Sequence, residues 1–356
     1  MKVIVLTDHF GNGGAERVAS LVINGISKFK SNEVHVCIFQ DIINYNLSTE
    51  NVCLHILADS QKGHLVNAWL KIRNLARVIK TVNPDAIYSF GPIMASYVFL
   101  AKKLSGVKKL KVISSERNDP RYEPVQSWKK KVRNFCYNRS DILVCQTPMA
   151  VDLLEHLYGV SARKQIIPNP ISTGLPKWKG INSSNIITAA RLTEQKNLPM
   201  LIDAFDMLAK KHPEMQLVIY GEGELHSFLE DYILQKGLKS KISLKGFAKD
   251  IHKIMAESYM YVSSSNYEGI SNSMLEAMGI GLPCVCTDCP VGGAGMVISQ
   301  GENGFLTPVG DTNALFEAMC RLVEDKSLAD KFSKSSRYVN QKFSLDKITE
   351  EWIQLL

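Results

Sequence analysis

The sequence predicts an α/β protein of two Rossmann-like domains, each a parallel sheet covered by helices on both faces. Three observations carry that prediction. Short apolar, β-rich runs alternate with helix-length amphipathic segments from one end of the chain to the other, and strands that alternate with helices build parallel sheets. At 356 residues the chain is long enough for two domains of ordinary size. The segment 167–185 breaks the rhythm with three prolines and two glycines, a composition that ends regular structure.

Strands are expected at 2–8, 33–39, 85–90, 110–115 and 141–146 in the first half, and at 185–191, 215–221, 241–246, 260–265 and 283–288 in the second. The domains are accordingly placed at 1–170 and 185–340, with a linker at 171–184. A closing amphipathic helix at 341–356 aligns Ile348, Trp352 and Leu355 on one face.

Apolar residues at 45% and charged residues at 22% describe a soluble protein with sizeable cores. The start, MKVIVLTDHFGNGG, reads as a strand rather than a secretory leader, and no run reaches the roughly 18 apolar residues that a membrane span needs. Cytoplasmic placement is expected. Cys284, Cys286 and Cys289 form C-x-C-x-x-C without a second cluster, so buried thiols are expected there rather than zinc. Residues 1–170 carry 23 Lys and Arg against 13 Asp and Glu, a net of +10. The first half should therefore face something anionic. Without a nucleic-acid-binding motif, a membrane surface or a pyrophosphate-linked lipid fits better than nucleic acid.

The chemistry concentrates in Y-E-G-I-S-N-S-M-L-E (267–276). Gly269, Ile270 and Ser271 lead from a buried strand into a helix, whose first amides suit phosphate. Glu268 and Glu276 flank that turn and can accept hydrogen bonds from sugar hydroxyls, which suggests a nucleotide-sugar. A competing reading makes Ser273 and Glu276 an S-x-x-E capping box. Arg191 and Lys196 stand above the same sheet edge and suit a diphosphate, with Asn197 available to cap the following helix. Gly221 and Gly223 would keep side chains out of a ligand crevice, and Phe247 could meet a nucleobase. In the first half, H-F-G-N-G-G-A-E-R (9–17) has Glu16 at the third glycine position of a dinucleotide loop, which argues against a nicotinamide enzyme. Gly13 and Gly14 either admit a ligand close to the backbone or make a tight turn. Two basic segments, 65–80 with Leu65, Trp69, Ile72, Ala76 and Ile79 on one face, and W-K-K-K-V-R (128–133), could rest on anionic lipid. The first reads equally as a sheet-covering helix.

With these motifs in view, the chain resembles glycosyltransferase family 4, the retaining transferases of the GT-B fold. The likeness rests on A-A-R-L-T-E-Q-K-N (189–197), Y-G-E-G-E-L (220–225), K-G-F (245–247), E-G-I-S-N-S-M-L-E (268–276) and G-E-N-G-F-L (301–306). In the first half it rests on G-G-A-E-R-V (13–18) and S-E-R-N-D-P (115–120). The resemblance is nearest to bacterial enzymes that extend lipid-linked oligosaccharides. It implies an interdomain cleft, a final helix crossing back onto the first domain, and transfer of a HexNAc or hexose from a UDP-sugar, with no cofactor and no metal. By the same likeness, Arg191 and Lys196 hold the pyrophosphate, Glu276 the ribose and Glu268 the donor sugar, while Gly269 and Ile270 lend amides and the Gly13–Gly14 loop closes the cleft. The expected acceptor is polyprenyl-pyrophosphate linked, at the cytoplasmic face of the inner membrane. Two positions depart from the family. Arg117 stands where many members carry His, so its role must be electrostatic or acceptor-binding, and Gly295 stands where a Glu is frequent. The alternatives are a UDP-sugar 2-epimerase of the same fold and a catalytically inactive nucleotide-sugar-binding partner.

Overall fold

The computed structural model describes residues 1–11, 13–48, 50–57, 64–180 and 183–356. The chain forms two compact units, one of Met1–Pro170 with Leu345–Leu356 and one of Ile171–Ser344.

Unit 1 contains β1 (Lys2–Thr7), β2 (Glu33–Ile38), β3 (Val52–Ile56), β4 (Ala86–Phe90), β5 (Lys111–Ser115), β6 (Ile142–Cys145) and β7 (Lys164–Ile166). They form one sheet in the order β3-β2-β1-β4-β5-β6-β7, every pair parallel. The period-2 geometry of a strand sends alternate residues to opposite faces. Val3 and Val5 join one core cluster with Val18, Val22 and Ile26 of the helix Gly14–Ser27, whereas Ile4 and Leu6 join another with Leu75, Ile79 and Val98. Both faces are therefore covered, which is why β1 reads as an unbroken apolar run.

The helix His64–Val82 buries Ala76 and Ile79, as a sheet-covering helix must, and leaves Trp69 54% exposed. The side chain of Leu65 lies outside the described residues. The final helix, Leu345–Ile353, packs onto the first of these clusters through Ile348 and Trp352. The Tyr88 hydroxyl donates to the Trp352 carbonyl over 2.7 Å, and the two rings meet edge-on at 5.5 Å. A Cβ on Gly25 would lie 2.2 Å from Thr349 Oγ1, so the two helices touch where only glycine fits.

Unit 2 contains β8 (Asn185–Ala189), β9 (Gln216–Tyr220), β10 (Ile242–Leu244), β11 (Met260–Ser263), β12 (Cys284–Thr287) and β13 (Phe305–Thr307). Their order is β10-β9-β8-β11-β12-β13, again parallel throughout. Strand order reverses on either side of β8 and β11, the switch point where open α/β sheets bind ligands. Residues 171–184, expected as a linker, belong to this unit. Ile171 is buried, the Trp178 amide donates to the Ile280 carbonyl over 2.9 Å, and the Trp178 indole donates to the Ser258 carbonyl over 2.9 Å. Residues 341–344, expected with the closing helix, also belong to unit 2. Ile181 and Asn182 lie outside the described residues.

Candidate active site

The loops after β8 and β11 meet at the switch point of unit 2. Lys196 pairs directly with Glu268, each side chain 15% exposed. The Ser265 hydroxyl donates to the same carboxylate over 3.0 Å. Gln195 Nε2 donates to the Tyr267 carbonyl over 2.9 Å and reaches the other Glu268 oxygen at 3.4 Å, while Arg191 donates to Gln195 Oε1 over 3.2 Å. The outcome is a polar chain, Arg191–Gln195–Glu268–Lys196, with Arg191 at its exposed end. Ser264 ties the loops together by donating to the Lys196 and Asn197 carbonyls over 2.8 and 3.0 Å. Gln195 is buried and carries no charge, so nothing in its chemistry marks it among its charged neighbours.

Two sequence expectations change at these helix starts. Asn197 does precede the helix Leu198–Lys211, in the left-handed conformation (φ 44°, ψ 48°), yet its side chain does not cap it. Its amide donates instead to Asn266 Oδ1 over 2.9 Å, bracing the two loops. The helix Asn272–Ile280 is capped by Ser271, whose hydroxyl accepts from the Met274 amide at 3.3 Å. Ser273 lies inside the first turn and meets the Tyr261 hydroxyl at 2.8 Å. The Ser273–Glu276 capping box therefore does not form. Glu276 is buried and stands 3.1 Å from His252 Nε2, on the helix Ile251–Ala256.

Glycines set the remaining walls by close backbone contact. A Cβ on Gly293 would lie 1.7 Å from the Gly269 carbonyl oxygen, so the loop after β12 rests directly on the Gly269–Ile270 backbone. Gly295, in the same loop, faces Asp288, whose Oδ1 would be 3.2 Å from an added Cβ. Gly221 and Gly223 follow β9 and make close backbone contacts of their own. Added Cβ atoms there would strike the Ala190 and Leu192 carbonyl oxygens at 1.9 and 2.3 Å. Their smallness lets the loop after β9 pair with the loop after β8, through Leu192 N to Glu222 O and Leu225 N to Leu192 O. Phe247, beyond β10, is 53% exposed. Cys284, Cys286 and Cys289 are buried thiols, and burial pushes Cys289 up to about 12.

The other candidates lie in unit 1, at loops after the C-terminal ends of its strands. Gly13 precedes the helix Gly14–Ser27, and its carbonyl accepts from the Arg17 amide and the Tyr45 hydroxyl, each at 3.2 Å. The Glu16 carboxylate folds over Gly13, within 1.9 Å of where a Cβ would stand. Asn12, between the glycines of that loop, lies outside the described residues. Arg117, after β5, donates to Asn169 Oδ1, which also accepts from Gln146, and to Ser115 Oγ at 3.3 Å. Burial lowers its guanidinium to about 10, so it stays charged at neutral pH.

Beneath Arg117 is a group that sequence reasoning missed. Glu116 is 1% exposed and accepts from the Arg117 and Asn118 amides at 3.0 and 3.3 Å and from the Tyr137 hydroxyl at 3.2 Å. Arg133, itself buried, stands 3.9 Å away. Burial pushes the Glu116 carboxyl up to about 7 against the pull of Arg133.

The family described as Glycosyl transferases group 1 matches residues 179–339, and Glycosyltransferase Family 4 matches residues 12–175. A Campylobacter jejuni N-acetylgalactosamine-N,N'-diacetylbacillosaminyl-diphospho-undecaprenol 4-alpha-N-acetylgalactosaminyltransferase is 26% identical, over 97% of this chain and 96% of its own. The Staphylococcus aureus poly(ribitol-phosphate) alpha-N-acetylglucosaminyltransferase is 30% identical over 47% of this chain and 34% of its own. Among solved structures, Anabaena HepE in complex with UDP-glucose superposes with a TM-score of 0.85 at 18% identity, covering 99% of this chain and 98% of that one. The lipopolysaccharide outer core galactosyltransferase WaaB gives 0.77 at 19% identity, covering 100% and 99%.

Proposed function

The chain belongs to glycosyltransferase family 4, with the two parallel-sheet units of a GT-B protein, and from that premise we propose that it transfers a HexNAc or hexose from a UDP-sugar to a lipid-linked or surface-polysaccharide glycan, with retention of configuration. The observation that carries this reading is the Arg191–Gln195–Glu268–Lys196 chain beside a helix N-terminus at the switch point of unit 2. Two cations and a row of first-turn amides suit a diphosphate. Lys196 is paired with Glu268. Donor binding exchanges that carboxylate for phosphate, and the freed Glu268 turns to the donor sugar. Arg191 and Lys196 then neutralise charge as UDP departs, a role that in many transferases falls to a metal.

The buried Glu276 takes the ribose hydroxyls, with His252 orienting it, and Phe247 offers an exposed ring to the base. Ser271 caps the helix whose preceding residues, Gly269 and Ile270, lend amides to the donor. In unit 1 the Gly13–Gly14 loop contributes backbone on the acceptor side, and Arg117 supplies a fixed positive charge. A polyprenyl-pyrophosphate acceptor is favoured by the full-length likeness to the Campylobacter enzyme and by the +10 excess of residues 1–170. No described helix is long and apolar enough to cross a membrane. A lipid-borne acceptor favours peripheral attachment at the cytoplasmic face.

Incubation with a panel of nucleotide-sugars and a lipid-linked acceptor, scored for UDP release and glycan product, tests the whole reading. A 2-epimerised nucleotide-sugar would favour the epimerase, and binding without turnover the inactive partner. Lys196→Ala and Arg191→Ala should each weaken UDP binding and transfer about tenfold or more, since a charge-assisted contact contributes roughly 1.5–3 kcal/mol. Unchanged affinity and turnover in both variants would sink the site. Full activity in excess chelator is expected from the metal-free reading.

A further inference from the structure

The helix Ser127–Tyr137 presents apolar side chains to water as well as to the core. It buries Arg133, Cys136 and Tyr137, while Trp128, Val132 and Phe135 are 63%, 40% and 45% exposed. Spacing of four and three residues puts these three on one helix face. A helix normally turns such a stripe to the core. Val125, just before the helix, is 75% exposed. The neighbouring helix Pro92–Ser105 exposes Leu100 and Leu104 at 44% and 48%. Its Phe99 meets Phe135 edge-on at 5.3 Å, which joins the two apolar faces.

Cations rim this patch. Arg139 lies 3.5 Å above the Phe135 ring and Lys129 5.6 Å from the Trp128 ring, and Lys131 and Lys103 are exposed. The expectation that all three lysines of 129–131 are free for lipid changes here, because Lys130 donates to the Arg121 carbonyl. A face of this kind, apolar and aromatic with a cationic rim, has the chemistry of the boundary between lipid headgroups and acyl chains. A second copy is disfavoured as occupant, since it would bring the same cations against this rim.

We propose that Trp128, Val132 and Phe135 insert into an anionic bilayer, so that attachment is apolar as well as electrostatic. The inference deepens the proposed reaction, whose acceptor is lipid-borne. Its test needs neither donor nor acceptor, so its failure leaves the transfer reading standing.

The full chain is sedimented with vesicles of phosphatidylethanolamine and phosphatidylglycerol in equal parts, at low and high salt. Wild-type protein should stay partly bound at high salt, because screening removes only the charge contribution. The variant Trp128→Ser/Val132→Ser/Phe135→Ser should bind at least about tenfold more weakly, with an unchanged melting temperature. Should the triple variant fold poorly, quenching by brominated lipid of fluorescence that Trp128→Phe abolishes reports insertion independently. Three outcomes overturn the proposal: undiminished binding by a folded variant, complete release of wild type by salt, or no quenching of Trp128. A solution dimer that the variant dissociates also overturns it, by assigning the face to a second copy.

Discussion

At the scale of single residues, the two glutamates of the 267–276 segment occupy different environments, which separates their expected roles. Glu268 is bound to a lysine, a serine and a glutamine in a partly open site, whereas Glu276 is buried against His252. Glu268→Gln releases Lys196 from its carboxylate, so donor affinity should hold or rise while turnover falls, because the lost interaction matters most where charge develops. Glu276→Gln should mainly weaken UDP binding. Titration calorimetry with UDP, set beside turnover, checks both. A Glu276→Gln variant that keeps its UDP affinity and loses only melting temperature would reduce that residue to a structural role.

Secondary-structure elements and the loops that join them carry the next two expectations. The loop after β12 presses Gly293 onto the Gly269 carbonyl oxygen. Gly293→Ala cannot be relieved by a side-chain rotation, because the atom it strikes is backbone. The Glu268 loop must shift, at a cost of about 1–3 kcal/mol. The Michaelis constant for the donor should rise although residue 293 carries no ligand-binding group, and an unchanged constant would show that the loop yields elsewhere. The turn after β5 depends on Glu116, whose carboxyl titrates upward from 4.5 to about 7 in the folded unit. A carboxyl whose folded value is raised adds stability below the unfolded value, and that stability is lost as pH rises through the folded one. Thermal unfolding should therefore show wild type losing stability between about pH 4.5 and pH 7, and Glu116→Gln should lack that slope. Parallel profiles for the two proteins would remove Glu116 as the titrating group.

Across the whole molecule, what could be read in advance follows from what local sequence encodes. Ten strands were legible because each is a buried apolar run, as in β1 and β12. Three were missed. β7 has Ile166 as its one apolar residue, and β3 is an edge strand with Leu54 and Ile56 exposed, so neither composition announces a core. β13 spans only Phe305–Thr307, without the apolar–polar alternation that marks a strand of equal length such as β10. The charged site residues Arg191, Lys196 and Glu268 announced themselves by motif. Their mutual pairing did not, since it joins positions 72 apart in sequence. Gln195, His252 and Glu116 were invisible for the same reason: a buried polar group acquires its meaning from distant partners. Only the fold reveals that the missing side chains of Gly221 and Gly223 also make room for a neighbouring loop.

The return of Leu345–Leu356 to unit 1 makes unit 2 an insertion and unit 1 its host, with consequences for the order of assembly. During synthesis the inserted unit is complete at Ser344, whereas the host still lacks the helix that brings Trp352 against Tyr88 and Phe90. Truncating a large buried aromatic costs about 3–5 kcal/mol, and losing the whole helix removes Ile348 and Leu355 as well. A fragment of residues 171–344 should therefore fold and bind UDP alone. A fragment of residues 1–170 should be unstable until a peptide of residues 345–356 is supplied, which circular dichroism melts would register. If the shorter fragment melts identically with and without that peptide, the host needs no such closure. If the peptide rescues it, residues 345–356 are a latch on unit 1 that the ribosome supplies only after the inserted unit has been made.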